Sequence, residues 1–82
     1  PQFSFMTQQL EKLNELLIKL DDTQFETFLL IYCPVVYDKK SSGMRRDEKI
    51  HLLLEHCHYN PEKTQNIIAS VTMYVQKTNA GG

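Results

Sequence analysis

The sequence predicts an all-α fold, a compact bundle of five to six short antiparallel helices. Apolar residues recur at helical spacing in successive segments. No alternating apolar–polar run is long enough for a strand, and the connections are short and marked by Pro, Asn or Gly. Eighty-two residues hold one small domain with one modest core.

The first segment, "TQQLEKLNELLIKL", places Leu10, Leu13, Leu16, Leu17 and Leu20 on one stripe, which predicts an amphipathic helix over about 7–19. "LDDTQFETF" then carries a helix start. Asp21 is placed to cap and Gln24 completes a capping box, while Leu20 and Phe25 are spaced for a hydrophobic staple. The second helix runs to about Tyr32 and is apolar nearly all round ("FLLIYC"), so it is expected to be the most buried element. Pro34 ends it or opens a single turn in "PVVYDKK", and "SSG" breaks the chain. In "MRRDEKIHLLLEHCHY", Ile50, Leu53, Leu54 and Cys57 fall at i, i+3, i+4 and i+7, a helix over about 45–57. Asn60 and Pro61 restart the chain, and the last helix buries Ile67, Ile68, Val71, Tyr74 and Val75, weakened near its end by the β-branched "SVTMYV". Residues 7–77 are read as the domain, 1–6 as an N-terminal extension or scar and 78–82 as a flexible tail or linker. The start at Pro1 and the end in "NAGG" read as a piece of a longer polypeptide.

Composition removes several function classes. A net charge of −1 lacks the basic excess of a general nucleic-acid binder. There is no run of eighteen apolar residues and no charged-then-apolar leader, so neither a membrane span nor a signal peptide is expected, and the cytoplasm is the expected location. Cys33 and Cys57 fall on apolar helical positions and read as free thiols in a reducing compartment.

Candidate chemistry is thin. His51, Glu55 and His58 share a helix face at i, i+4 and i+7, but the His-Glu-x-x-His order of a zinc protease helix is absent, and a solvated polar face is the better reading. His56 and His58 flank Cys57 at positions about 100° away around a helix, too far round to act on its thiol. No enzyme activity, metal or cofactor is expected. Four cations, Lys39, Lys40, Arg45 and Arg46, lie within "YDKKSSGMRRDE" around one glycine, which falls short of a phosphate-binding loop. Residues 1–37 carry Glu11, Glu15, Asp21, Asp22 and Glu26 against Lys12 and Lys19, a net of −3; residues 38–82 carry seven bases against five acids, a net of +2. This asymmetry predicts a two-ended domain, with an acidic corner at Asp21, Asp22 and Glu26 and a basic corner at Lys39, Lys40, Arg45 and Arg46. Such corners suit pairing between domains. A small nucleic-acid-binding domain using 39–46 is the alternative.

The segment from Phe25 to Cys57 resembles the bacterial effector-associated domains, small helical modules of the death-like domain superfamily. The residues that carry the resemblance are Phe28, Tyr32, Pro34, Val36, Tyr37, Gly43-Met44, Lys49-Ile50 and "LLLEHC" at 52–57. "LNELLIKL" is similar to their first helix and "TQNIIASV" to their closing one, so the likeness spans about residues 10–71. Where many relatives carry an Arg-x-Gly turn before the last helix, this chain has His58-Tyr59-Asn60-Pro61. The resemblance implies a death-like bundle that acts as a non-catalytic adaptor. It would pair with like domains on the same or other chains and recruit effectors such as proteases in bacterial defence or cell-death signalling.

Overall fold

A computed structural model describes residues 2–80 of the chain. Among them are five helices and no strands: α1 (Gln2–Leu17), α2 (Asp22–Tyr32), α3 (Pro34–Lys39), α4 (Arg46–His56) and α5 (Pro61–Ala80). The all-α bundle is as the sequence predicts. The first helix begins earlier than expected, because no Pro or Gly interrupts residues 2–6 and a nucleated helix extends at little cost. Residues 2–6, read above as an extension or scar, therefore form the first turns of α1. The last helix likewise runs on to Ala80, taking in residues 78–80 of the expected tail. Pro1, Gly81 and Gly82, from the same two expected segments, lie outside the described residues.

The helix ends follow local chemistry. Asp21 accepts from the Gln24 amide at 2.8 Å, and the Gln24 side chain accepts from the Asp21 amide at 3.0 Å, a complete capping box. Asn60 Oδ1 accepts from the Lys63 amide at 3.0 Å, opening α5 behind Pro61. At α4 only half a box forms. Glu48 accepts from the Arg45 amide at 3.0 Å, but a guanidinium has no acceptor to return the bond. Gly43 supplies φ +81 in the turn before α4, where the Met44 amide donates to the Ser41 carbonyl.

Two long helices form one wall, α1 packing mainly on α5, while α2, α3 and α4 follow one another against it. The core between them holds Leu13, Leu17, Leu20, Phe25, Phe28, Leu29, Val36, Leu53, Leu54, Ile68, Val71 and Val75, among others. Phe28 stacks on Tyr32 and meets Tyr74 of α5, with ring centroids 5.0 and 5.7 Å apart. Buried Gln9 ties α1 to α5 by donating to the Pro61 carbonyl at 2.9 Å and to Gln65 Oε1 at 3.3 Å.

The bundle measures 38 × 30 × 17 Å. Three stacked helix layers would need about 21–25 Å, two interaxial spacings plus the backbone radii, so 17 Å admits two. In a two-layer bundle each helix keeps one face toward water. The helix expected to be the most buried element, α2, therefore buries one face only. Phe25, Phe28 and Leu29 are buried, whereas Leu30 is 53% and Ile31 59% exposed.

Candidate interaction surfaces

The acidic and basic residues expected at opposite corners are brought together. The turn after α1 delivers Asp22 and Glu26 on α2, and the loop after α3 returns the cations to the same flank. Arg46 Nη2 donates to Asp22 Oδ1 at 2.7 Å. Its Nη1 donates to the carbonyls of Leu17 and Leu20, both at 2.8 Å. Leu17 is the last residue of α1 and Leu20 lies in the turn that follows, so Arg46 caps the helix end and braces that turn while its guanidinium lies 5.2 Å from the Phe25 ring centre. Glu26 Oε1 takes Lys49 at 3.1 Å and Lys40 at 3.2 Å, and Lys40 also stands over the Tyr37 ring at 4.5 Å. The charge asymmetry counted along the chain thus becomes a set of internal cross-links between α2, α3 and α4. A two-ended molecule does not result, because sequence halves are not spatial halves.

The electrostatics follow from these partners. Arg46 holds the Asp22 carboxyl below the usual carboxylate range, first through its hydrogen bond and then through its charge. Burial pushes the Glu26 carboxyl up, but the ammonium groups of Lys49 and Lys40 outweigh it and its pKa is lowered. Glu26 Oε2 is buried without a hydrogen-bond partner, since both lysines gather on Oε1. Lys49 lies outside the two patches the sequence marks, yet its side chain is only 14% exposed and it braces this cluster. Of the seven patch residues, Asp21 and Lys39 make no ion pair among the described residues, and Arg45 meets only its neighbours Asp47 and Glu48. Those two acids also stand in the first turn of α4, where an anion would have to dock.

The histidine face is a structural corner. His51 Nε2 lies 2.9 Å from Glu55 Oε1, and Tyr59 Oη lies 3.0 Å from His51 Nδ1. With its proton on Nε2, the ring donates to Glu55 and accepts from Tyr59. His58 leaves this face because α4 ends at His56 and the chain turns left-handed at His58 (φ +54) and Tyr59 (φ +53). The His58 amide donates to the Glu55 carbonyl and the Tyr59 amide to the Leu54 carbonyl, the paired bonds of a Schellman end built without glycine. No group of three or more His, Cys, Asp or Glu able to hold a metal ion occurs among the described residues. Cys57 is buried, its Sγ donating to the Leu54 carbonyl at 3.2 Å and lying 3.5 Å from Thr64 Oγ1. Both cysteines are free thiols, and burial, aided by Cys57, pushes the Cys33 thiol up to about 11.

Large apolar side chains stay exposed at several places, Ile18, Val35 and Met73 among them, and Leu30 and Ile31 lie side by side on the outer face of α2. Phe25, Phe28, Leu29 and Tyr32, at i, i+3, i+4 and i+7, form its inward stripe. Thr23, Thr27, Leu30 and Ile31, at i, i+4, i+7 and i+8, form a second stripe on the opposite side, exposed and without a charge. The Thr27 hydroxyl donates to the Thr23 carbonyl at 2.9 Å. At the C-terminal end of α2, Tyr32 borders three open grooves, two of them away from the Phe28 side. One, of about 560 Å³, is also lined by Val35, His58 and Lys63; the other, of about 320 Å³, by Met73 and Lys77. The signal for this face was present in the sequence as a second helical period within "TQFETFLLIY". Counting apolar residues marks the helix as the most buried element, but does not say which of its faces is covered.

No helix among the described residues is long and apolar enough to cross a membrane. Compared with protein-family models, curated proteins and solved structures, the chain matches none.

Proposed function

We propose that this chain is a non-catalytic protein–protein interaction module, and that the second stripe of α2 is the surface it uses. That stripe is the observation that carries the reading. A helix apolar on two opposite faces calls for cover on both, and a two-layer bundle supplies cover on one. The partner class rests on the resemblance to bacterial effector-associated domains, which implies pairing with like domains and recruitment of effectors such as proteases. Asp21, Lys39 and Arg45 are the patch residues left to orient a partner. Asp22, Glu26, Lys40 and Arg46 are engaged within the fold, which also leaves the 39–46 segment with little free charge for nucleic acid.

The test is titration of the chain against a panel of effector-associated domains, with Ile31→Glu beside the wild type. Binding by the wild type, weakened at least about tenfold by Ile31→Glu with the helical spectrum intact, is the expected result. Absence of binding to every member and to the chain itself, or equal binding by the variant, overturns the reading.

A further inference from the structure

We infer that this chain holds a second binding surface, a trough between α5 and the junction of α2 with α3. It takes an extended peptide segment of a partner protein, with an acidic residue at each end and uncharged residues between. The trough is separate from the outer stripe of α2, since Leu30 and Ile31 line none of its grooves.

The three grooves that meet at Tyr32 adjoin one another along α5. The groove of about 560 Å³ and a smaller one of about 190 Å³ share Cys33, Asn66 and Ile67, and Tyr32 joins both to the groove of about 320 Å³ beside Met73. The α5 side of the trough is a single stripe. Lys63, Asn66, Ser70, Met73 and Lys77 fall at i, i+3, i+7, i+10 and i+14, within about 80° of one another around the helix. A lysine thus stands at each end, and the helical rise sets the two about 21 Å apart. Neither lysine makes an ion pair among the described residues, in contrast to Lys40, Arg46 and Lys49, which are engaged within the fold. No Asp or Glu lines any of the three grooves. The trough therefore presents two cations with no acid beside them, and the complement is an acid at each end of the occupant.

The middle of the trough selects what joins those acids. Tyr32, Val35 and Met73 border it as exposed apolar side chains, which suits uncharged, partly apolar residues. An extended backbone must also find partners for the amides and carbonyls it buries, whereas a helix satisfies its own. Asn66 and Ser70 line the floor with side chains that make no hydrogen bond among the described residues. They stand about 6 Å apart along α5, close to the ~6.8 Å repeat of alternate residues in an extended chain. At that geometry about 21 Å spans six residues, so the two acids sit six positions apart. A nucleic-acid strand fits poorly, because its phosphates between the two lysines would lie over a neutral floor.

The test is NMR titration of the isotope-labelled chain with a blocked seven-residue peptide, glutamate at both ends and valine alternating with serine between. Saturable binding with Kd below about 1 mM is expected, with shifts concentrated at Asn66, Ser70 and Met73 and not at Thr23 or Thr27. Lys63→Glu and Lys77→Glu should each weaken it at least about fivefold. Lys19→Glu, the same charge change at an exposed site outside the trough, should weaken it less than about twofold. The variant carrying both Lys63→Glu and Lys77→Glu should instead bind the lysine-ended peptide, which also shows that it keeps its fold. Four results overturn the inference: no saturable shift, shifts centred elsewhere, equal weakening by Lys19→Glu, or equal affinity for a peptide with its acids three positions apart. Tighter binding of oligothymidylate at the same residues overturns it in favour of nucleic acid. None of these outcomes touches the outer stripe of α2, which the titration with Ile31→Glu decides.

Discussion

His58 and Tyr59 show how single residues absorb the cost of a sharp turn. Two consecutive non-glycine residues in the left-handed region carry a steric cost on the order of 1 kcal/mol each, and the paired amide bonds behind α4 offset it. Tyr59 is further held by packing on the core and by the His51 ring 3.0 Å from its hydroxyl. His58, exposed and outside that network, contributes no comparable anchor. His58→Gly is therefore expected to stabilise the protein by about 1 kcal/mol, through relief at the position that favours glycine. Urea unfolding measures it, and a variant no more stable than the wild type would show that the turn carries no such strain. The sequence marked this turn through Asn60-Pro61, but the left-handed pair was not legible, because neither His nor Tyr advertises that conformation.

Between elements, Arg46 is the joint that closes α1, α2 and α4 together. It holds the carbonyls of Leu17, at the end of α1, and of Leu20, in the turn after it, pairs with Asp22 at the start of α2, and is itself the first residue of α4. Its side chain is 29% exposed, so its bonds are partly shielded from water. Arg46→Ala is expected to cost about 2 kcal/mol in chemical denaturation, mostly from the orphaned carbonyls and the lost charge-assisted bond. Arg46→Lys should recover less than half, since one ammonium cannot reproduce a fork that reaches two carbonyls and a carboxylate. A loss below about 0.5 kcal/mol for the alanine variant would place Arg46 among ordinary surface charges. Here sequence reasoning gave the residue a partner-facing role. Clustering along the chain identified the cations but not the carbonyls 26 and 29 positions away that they would meet.

Stability of the whole bundle should follow the carboxylates that its cations hold. Glu26 and Asp22 both have pKa values lowered in the fold, so their contribution is full above the unfolded values, near 4.5 and 3.8, and is lost as pH falls through them. Melting temperature is expected to decline below about pH 5. Glu26→Gln should cost about 1–2 kcal/mol at pH 7, because Lys40 and Lys49 then face each other unneutralised. The same variant should show a shallower acid decline than the wild type. Parallel pH curves for the two proteins would mean that Glu26 is not coupled to folding.

By itself the sequence determined that this chain is helical, where most of its helices begin and end, and which residues fill its core. Those properties are local: the capping box at Asp21, the break at Pro34, the restart at Asn60-Pro61 and the apolar period of 3.6 act within a few residues of one another. Tertiary structure alone decided which charges meet and which apolar stripe stays uncovered. Both depend on how many layers the helices stack into and which flank each loop returns to, and chain order encodes neither. Thus Arg46 and Glu26 turned inward to cross-link the bundle, and α2, apolar on both sides, kept Leu30 and Ile31 in water because 17 Å leaves no room for a third layer.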